Sequence, residues 1–354
     1  MSDARPDFGK LACPVPITTG PTVQMAHGGG GRMSKALTDR LFLPAFRNDA
    51  LAALHDGATL ARPAGRIAFT TDTYVVRPLF FPGGDIGSLA VHGTVNDLAM
   101  CGARPLALSA GYLLEEGFPL ADLERVVASM RDAALRAGVP IVTGDTKVVD
   151  RGKGDGVYLN TAGVGVIPEG IEIAPTRARP GDRILLSGSI ALHGIAILSV
   201  REGLAFESAI ESDSAALHDL VAAVLAAGGA GVHVLRDPTR GGVSSATNEI
   251  ALSAGVGMVL DERAIPVRED VRGACEIMGL DPLYVANEGK AIAIVAPEVA
   301  DAVLAALRGH PLGREAAIVG EVTPGPAGRV TIRSRVGGTR LLDMMSGEQL
   351  PRIC

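Results

Sequence analysis

In each of two successive halves of the chain, segments whose apolar residues have the period of a strand alternate with segments whose apolar residues have the period of a helix. A Pro-rich segment with little periodicity, residues 168–181, separates the halves. In the first half, residues 67–76 are rich in Thr and β-branched residues and predict a strand, whereas 85–101 predict a helix that Gly102 ends. With 354 residues the chain is long enough for two domains with separate cores. The pattern therefore predicts an α+β protein of two domains.

The other predicted elements continue this alternation. In the first half they are strands at 105–112, 139–149 and 156–166, of which 139–149 is predicted to be buried, and a helix at 120–137. In the second half they are strands at 182–187, 232–235, 257–260, 291–295, 317–321 and 330–333 and helices at 193–202, 215–227, 242–254 and 297–308. We predict an extended lead-in at 1–25 that ends in a short edge strand, domains at 26–168 and 182–342, and a mobile tail at 343–354.

Charge and composition exclude several classes of function. The net charge of −6 lacks the basic excess of a dedicated nucleic-acid binder, and aromatic platforms for stacking bases are scarce. The longest apolar stretch, residues 220–232, is short of the roughly 20 residues that span a bilayer. The first ten residues lack the features of a secretory signal, so we expect a cytoplasmic protein. The four cysteines are widely spaced and predict neither a disulfide framework nor a zinc site.

Several aspartates lie beside small residues at predicted strand ends or helix starts: Asp72, Asp97, Asp145 and Asp237. Mg²⁺ takes oxygen ligands and commonly holds phosphates against one or two carboxylates. As a group they favour a metal–nucleotide site, although a single aspartate in such a position more often caps a turn or a helix.

Glycines 28–31, which follow His27, could present successive N–H groups to phosphate oxygens. The run matches neither a Walker A motif nor GxGxxG, and spacing alone favours a flexible loop. Lys147 follows Asp145 by two residues on a predicted strand and could stabilise a transferring phosphoryl group, or form an ordinary surface ion pair. Glu288 lies in a polar turn and could be a general base or a solvated carboxylate.

Cys354 is the terminal residue, so it does not fit a prenylation signal. A thiol at the tip of a tail could be modified by another protein and then folded back into its own active site. An incidental exposed cysteine is the alternative.

The motifs that contain these residues resemble those of one family. They are AHGGGG at residue 26, TTDTYVV at 70, FPGGDIGSLAVHGTVNDLAM at 81, TGDTKVV at 143, NTAGVG at 160, RDPTRGGV at 236, ANEGK at 286 and the closing PRIC. Together they resemble the HypE family of hydrogenase maturation factors, which are carbamoyl dehydratases of the aminoimidazole ribonucleotide synthetase (PurM-like) superfamily. The closing PRIC separates this family from its relatives.

The resemblance implies a two-domain PurM-like fold. Its N-terminal domain forms a sheet, binds ATP and pairs in a homodimer, and its C-terminal domain is an α/β sandwich. It also implies ATP and Mg²⁺ in the cleft that the dimer creates. HypF, a carbamoyltransferase, would load the sulfur of the terminal cysteine. The chain would then use ATP to dehydrate this group to a thiocyanate, and the cyano group would pass to iron on the HypC–HypD complex.

The resemblance further implies roles for single residues. Asp72, Asp97, Asp145 and Asp237 would hold Mg²⁺–ATP, and Lys147 with Gly28, Gly29, Gly30 and Gly31 would contact phosphate. Glu288 would handle the carbamoyl nitrogen, with Asn160 and His27 as polar neighbours, and Cys354 would carry the substrate. Two alternatives stay open: a superfamily enzyme that phosphorylates a free small molecule, and an ATP-sensing assembly scaffold whose tail only docks partners.

Overall fold

The computed structural model describes residues 20–29, 31–52, 54, 57–61, 64–203, 210–344 and 353. Its α-helices are α1 (Arg32–Leu37), α2 (Leu43–Ala45), α3 (Asp49–Ala52), α4 (Ile86–Met100), α5 (Leu120–Ala137), α6 (Leu192–Arg201), α7 (His218–Gly228), α8 (Gly242–Ala254), α9 (Glu269–Met278) and α10 (Ala300–Gly309). Its strands are β1 (Arg66–Tyr74), β2 (Phe80–Phe81), β3 (Gly84–Asp85), β4 (Arg104–Glu115), β5 (Ile141–Val149), β6 (Val157–Ile167), β7 (Arg183–Leu186), β8 (Val232–Arg236), β9 (Gly257–Asp261), β10 (Ile292–Val295), β11 (Ala317–Thr323), β12 (Val330–Arg333) and β13 (Thr339–Leu341). Single turns of 3₁₀ helix occur at Met25–His27, Pro175–Arg177, Gly229–Gly231, Pro282–Tyr284, Pro297–Val299 and Pro311–Gly313.

The first half forms a four-stranded sheet in the order β1-β6-β4-β5, with β4 and β5 parallel and the other pairs antiparallel. Helices α4 and α5 pack together, and α4 lies against β1, β4 and β6. Helix α4 begins where the Asp85 carboxylate accepts hydrogen bonds from the N–H groups of Gly87 and Ser88, which are otherwise unpaired at a helix start. Nearly all of α4 is buried, so it is the central element of this half.

The opposite face of this sheet carries exposed apolar side chains. Ile67 and Phe69 of β1 are 65% and 68% exposed, and Leu113 of β4 is also exposed. Because successive side chains on a strand alternate between faces, Ile67 and Phe69 lie on the same side, away from α4. An exposed apolar sheet face of this kind is typical of a protein–protein contact.

The second half forms a seven-stranded sheet in the order β13-β12-β9-β11-β7-β10-β8. Its pairs are antiparallel except β9 with β12. One apolar cluster joins the sheet to α7 and α10, and another joins it to α8, so both faces are covered. Helices α6 and α9 instead share a core with the first half, and this core also contains Ile353. The two halves are therefore packed together through α6 and α9.

Most predicted elements of both halves are present within a few residues of their predicted bounds, and the α+β class is confirmed. The prediction of a buried strand at 139–149 is wrong in part: β5 is the last strand of its sheet, and its side chains beyond residue 142 are exposed or half-buried. The short edge strand predicted at the end of the lead-in is reduced to one antiparallel bridge, Thr22 with Pro119, beside hydrogen bonds between Val23 and residues 117–118, and a 3₁₀ turn, Met25–His27, follows it. No strand or helix was predicted where α1 to α3, α9 and β13 lie, because these are short or weakly apolar segments.

Two parts of the predicted organisation fall largely outside the described residues: the lead-in, of which 1–19 are not described, and the tail, of which 345–352 and 354 are not described. Ile353 is described, and it is buried. Among the residues that the structure describes, no helix is long and apolar enough to cross a membrane.

Candidate active site

One row of residues crosses all four strands of the first sheet. Thr73 of β1 pairs with Asn160 of β6, Asn160 pairs with Gly111 of β4, and Gly111 pairs with Asp145 of β5. Residues in register across a sheet project to the same face, so Asn160 and Asp145 share the open face with Thr73. These residues and Lys147 line a cavity of about 250 Å³. The sheet thus brings together three of the predicted site residues.

Asn160 is held in place by its neighbours on β1. Its Nδ2 donates hydrogen bonds to Thr73 Oγ1 at 2.9 Å, to the Asp72 carbonyl oxygen at 3.0 Å and to Thr71 Oγ1 at 3.1 Å. The amide is therefore oriented by the sheet, with its position fixed before any ligand binds.

Lys147 forms an ion pair with Asp145, with Lys147 Nζ 2.9 Å from Asp145 Oδ2, and both side chains are mostly exposed. An exposed pair of this kind contributes little to stability, about 0–1 kcal/mol. Both charged groups can therefore turn toward a ligand at little cost.

The predicted glycine loop lies against the same strand. A Cβ on Gly28 would come within 2.4 Å of the Val148 backbone nitrogen, so only glycine allows this approach to β5. Gly28 and His27 line a cavity of about 200 Å³ together with Asp145 and Lys147. Gly29 and Gly31 are more open, and Gly30 lies outside the described residues. The loop therefore adjoins the Asp145–Lys147 pair.

His27 has a local structural role. Its Nδ1 accepts a hydrogen bond from the Gln24 N–H at 2.9 Å, and its carbonyl oxygen accepts one from Ser34 Oγ at 2.6 Å. Burial lowers the pKa of His27, so the ring is neutral near pH 7. These contacts shape the turn that precedes the glycine loop, whatever further role the ring has.

Three aspartates form a second group on the other side of the sheet. Asp72 pairs in register with Thr161, which is buried and hydrogen bonded to Thr94 of α4, so Asp72 projects toward that helix. Asp97 lies near the end of α4, where it accepts a hydrogen bond from Thr70 Oγ1 at 2.8 Å. Burial raises the pKa of Asp97, and the charge of Asp72 adds to this.

Asp237 comes from the second half of the chain and joins this group. Burial raises the pKa of Asp237 to about 7, and the charge of Asp97 is the next largest cause. Buried carboxylates that repel each other are typical of a site that holds a cation. Within the described part of the chain, no three or more His, Cys, Asp or Glu side chains form a closed set around one point. Asp145 lies with Lys147 and not with these three aspartates.

Glu288 is buried, with an exposed fraction of 3%, so the alternative of a solvated loop carboxylate is wrong. Burial raises the pKa of Tyr74, and the charges of Asp72 and Glu288 add to this, which locates Glu288 near the aspartate group. The Glu288 carbonyl oxygen accepts a hydrogen bond from Asn96 Nδ2 at 3.5 Å, which ties this loop to α4 beside Asp97.

The loop around Glu288 is fixed by hydrogen bonds that the sequence did not indicate. Asn287 Nδ2 donates to the carbonyl oxygens of Pro238 at 3.0 Å and Val285 at 2.9 Å, and Asn287 Oδ1 accepts from the Ala191 N–H at 2.7 Å. Lys290 forms a buried ion pair with Asp213. Asn287 and Lys290 flank Glu288 in the ANEGK motif. Only the fold shows that Asn287 ties this loop to Pro238, the residue after Asp237, and that Lys290 ties it to Asp213.

Cys354 lies outside the described residues. The residue before it, Ile353, is 2% exposed, and its carbonyl oxygen lies 3.0 Å from His193 Nε2. Sequence patterns do not indicate this contact of His193, because a single histidine on an apolar helix is usually a core residue.

Comparisons with known proteins agree on one family. Family profiles described as "AIR synthase related protein" match residues 54–167 (N-terminal domain) and 179–333 (C-terminal domain). A protein of Cupriavidus necator named carbamoyl dehydratase HypE is 61% identical over 342 residues, which cover 96% of this chain and 97% of that protein.

Solved structures agree with this result. A crystal structure of hydrogenase maturation protein HypE in complex with ATP is 52% identical, with a TM-score of 0.91 over 94% of this chain and 100% of that one. A HypE chain from a HypE–HypF complex is 46% identical, with a TM-score of 0.77 over 88% of this chain and 100% of that one.

Proposed function

Because the chain belongs to the AIR synthase related family, and within it to the HypE carbamoyl dehydratases, we propose that it dehydrates a carbamoyl group on the sulfur of its own Cys354. The product is a thiocyanate, which supplies the cyanide ligand for the iron of [NiFe]-hydrogenase. The observation that carries the proposal is the inward position of Ile353, because it brings the end of the chain into the same core as α6 and the loop of Glu288.

The reaction needs a better leaving group than the amide oxygen of the carbamoyl group. Transfer of the γ-phosphoryl group of ATP to this oxygen makes phosphate the leaving group. Loss of both protons from the nitrogen and departure of phosphate then leave a C≡N group on sulfur, with ADP as the other product. The protein must therefore neutralise charge, exclude water and accept a proton.

Two features of the first sheet support a role in binding ATP. Lys147 and the Gly28 turn line one cavity, and Asn160 and Asp145 adjoin it on the open face. A lysine and backbone N–H groups are common ligands of phosphate oxygens. We assign phosphate contacts to Lys147 and glycines 28–31 and nucleotide positioning to Asp145 and Asn160, with His27 shaping the loop.

The donor types of the three-aspartate group suit Mg²⁺, because they are carboxylates whose mutual repulsion a cation would relieve, and a bound ion would have to draw them into one closed set. We assign Asp72, Asp97 and Asp237 to this ion. Asp145 lies with Lys147 on the other face of the sheet and is assigned to the nucleotide instead. When bound, Mg²⁺ neutralises the charge of the transferring phosphoryl group. The protein's own contribution is to hold these carboxylates on α4, β1 and the loop after β8.

Glu288 is our candidate for the group that accepts a proton from the carbamoyl nitrogen. It is buried, and the loop that carries it is fixed by Asn287 and by the buried Lys290–Asp213 ion pair. A general base needs first a suitable position and then a suitable pKa. The fixed loop provides Glu288 with a defined position, which is the first of these two requirements.

The exposed apolar face of the first sheet supports a homodimer that pairs through Ile67, Phe69 and Leu113. Because Asn160 and Asp145 are on this face, a partner protomer would help to enclose the nucleotide. HypF is the proposed donor of the carbamoyl group, and the HypC–HypD complex is the proposed acceptor of cyanide. The proposed location is the cytoplasm.

The test is intact-mass spectrometry of the protein incubated with the carbamoyltransferase, carbamoyl phosphate and ATP, followed by fresh Mg²⁺–ATP and peptide mapping. We expect a carbamoyl adduct on Cys354 that then loses one water. Consumption of ATP with Cys354 unmodified would instead favour a free small-molecule substrate. Full hydrogenase maturation by a Cys354→Ser variant would favour an assembly scaffold.

A further inference from the structure

The proposed chemistry gives no role to His193, which is one of the most buried polar residues of the chain. It lies in the first turn of α6, and both of its ring nitrogens have partners. Nδ1 is 2.8 Å from Ser212 Oγ, and Nε2 is 3.0 Å from the carbonyl oxygen of Ile353. His193 is therefore in direct contact with the residue that precedes Cys354.

The partners of His193 fix the position of its proton. A carbonyl oxygen can only accept, so Nε2 carries the hydrogen and donates to Ile353. In a neutral ring Nδ1 is then an acceptor, so the Ser212 hydroxyl donates to it, while Ser212 Oγ accepts from the Ser214 N–H at 3.2 Å. Burial lowers the pKa of His193 to about 4, which keeps the ring neutral at cellular pH.

The position of the ring is fixed as well. The His193 ring packs edge-on against Phe81, with ring centroids 5.6 Å apart. Helix α6 begins after Ala191, whose φ of 73° is unusual for a residue with a side chain and is accompanied by the hydrogen bond from its N–H to Asn287 Oδ1. A Cβ on Gly194 would come within 2.4 Å of Val285 Cγ1, so α6 also lies tightly against the residues before Asn287.

The Ser212 segment makes a second connection to the same loop. Asp213 forms the buried ion pair with Lys290, and a Cβ on Gly289 would come within 1.9 Å of the Asp213 carbonyl oxygen. The contacts of His193 and Ser212 therefore join Ile353 on one side to residues 287–290 on the other.

We propose that His193, oriented by Ser212, is a positioning residue that holds Ile353, the residue before Cys354, in its buried position by binding its carbonyl oxygen. The bond is to the main chain, so it does not depend on which group the sulfur of Cys354 carries. The hydrogen bond is single and neutral, so it can be exchanged for water if Ile353 leaves the core. The consequence for catalysis rests on the proposed function, but the contact itself does not.

The experiment measures how fast a maleimide reagent alkylates Cys354, with exposed Cys101 as the internal reference in the same peptide map. Loss of one neutral hydrogen bond shifts an equilibrium by about two- to tenfold. We therefore expect His193→Leu to raise the Cys354 to Cys101 rate ratio by this factor. His193→Gln should restore most of the protection, because its side-chain amide can donate to the same carbonyl.

The chain contains a matched control. His92 is also buried and pairs through Nδ1 with Ser214 Oγ at 3.0 Å, but neither contacts Ile353. His92→Leu and Ser214→Ala should leave the rate ratio unchanged, whereas Ser212→Ala should raise it less than His193→Leu does. Ser212→Ala also serves as the test if His193→Leu does not fold. An unchanged ratio in the His193 and Ser212 variants, or an equal rise in the His92 variant, would overturn the proposal.

A second readout separates this proposal from the proposed function. With the carbamoyltransferase, His193→Leu should be loaded at least as fast as the wild type but dehydrated more slowly, and His193→Gln should recover. If Cys354 is never carbamoylated but its protection depends on His193, the proposed function fails and the positioning role stands. If Cys354 is carbamoylated and its protection is independent of His193, the positioning role fails alone.

Discussion

Burial together with the charge of Asp97 raises the pKa of Asp237 to about 7, although Asp97 lies in the last turn of a helix of the first half and Asp237 follows a strand of the second. The two halves therefore meet at a pair of carboxylates whose ionised forms repel each other. A divalent cation would relieve this repulsion and join the halves at the same time.

Asp237 should make the binding of Mg²⁺ depend on pH. Near pH 6 the carboxyl is mostly protonated and the cation must displace the proton, whereas at pH 8 it is ionised. We expect Mg²⁺ to raise the Tm of the wild type more at pH 8 than at pH 6, as measured by calorimetry in both buffers. Asp237→Asn should lose most of this difference.

In the absence of Mg²⁺, the Asp237 carboxyl also makes the stability of the folded protein depend on pH. Its pKa is higher in the folded protein than in the unfolded chain, so the folded state binds the extra proton between about pH 4 and pH 7. The contribution of Asp237 to the free energy of unfolding therefore falls as the pH rises through this window. Asp237→Asn should be more stable than the wild type at pH 8 without Mg²⁺, and a loss of stability there would contradict the argument.

Glu288→Gln keeps the size of the side chain but removes its capacity to accept a proton. If Glu288 is the general base, dehydration of the loaded protein should slow by about 10²- to 10⁴-fold. Loading of Cys354 and binding of ATP should change little. Intact-mass spectrometry measures loading, equilibrium titration measures ATP binding, and single-turnover quench experiments on the carbamoylated protein measure dehydration. A normal dehydration rate would assign the proton to another group.

Lys147→Met removes the cation at the cavity shared by the glycine loop and β5. Removal of one donor to the charge that develops in the transition state typically lowers the rate by about 10²-fold or more. We therefore expect the loaded Lys147→Met protein to consume ATP about 10²-fold more slowly than the wild type. The control is Lys153→Met, which removes an exposed lysine from the turn after β5. Equal losses in the two variants would argue that only surface charge matters.

Phe69→Asp should separate the protomers, because Phe69 lies on the exposed apolar face of the first sheet and is 68% exposed in the single chain. A buried carboxylate on a dimer interface carries a large desolvation penalty. Sedimentation velocity should show a monomer with weakened ATP binding. Leu252→Asp is the matched control, since Leu252 is 70% exposed on α8 of the other half; dissociation by this variant would place the contact elsewhere.

Most of the long elements could be predicted from the sequence, because their buried apolar residues recur with a regular period. Helices α5 and α8, for example, begin and end at the predicted residues. Segments such as α1 to α3 were missed because their helices are too short for a period to develop.

The ion pair of Asp145 and Lys147 follows from spacing on one strand. The separation of Asp145 from Asp72 does not, because which face each aspartate uses depends on the strand register. Likewise, the burial of Glu288 and the contact between His193 and Ile353 come from the packing of segments far apart in the chain.

The most direct test of the account follows the carbamoyl oxygen. The protein is loaded with carbamoyl phosphate whose carbonyl oxygen is oxygen-18, freed of small molecules and given Mg²⁺–ATP for a single turnover. If the carbamoyl oxygen of Cys354 is phosphorylated before it leaves, the label appears in inorganic phosphate in proportion to thiocyanate formed. Unlabelled phosphate, with the label in water or still on Cys354, would contradict the central claim.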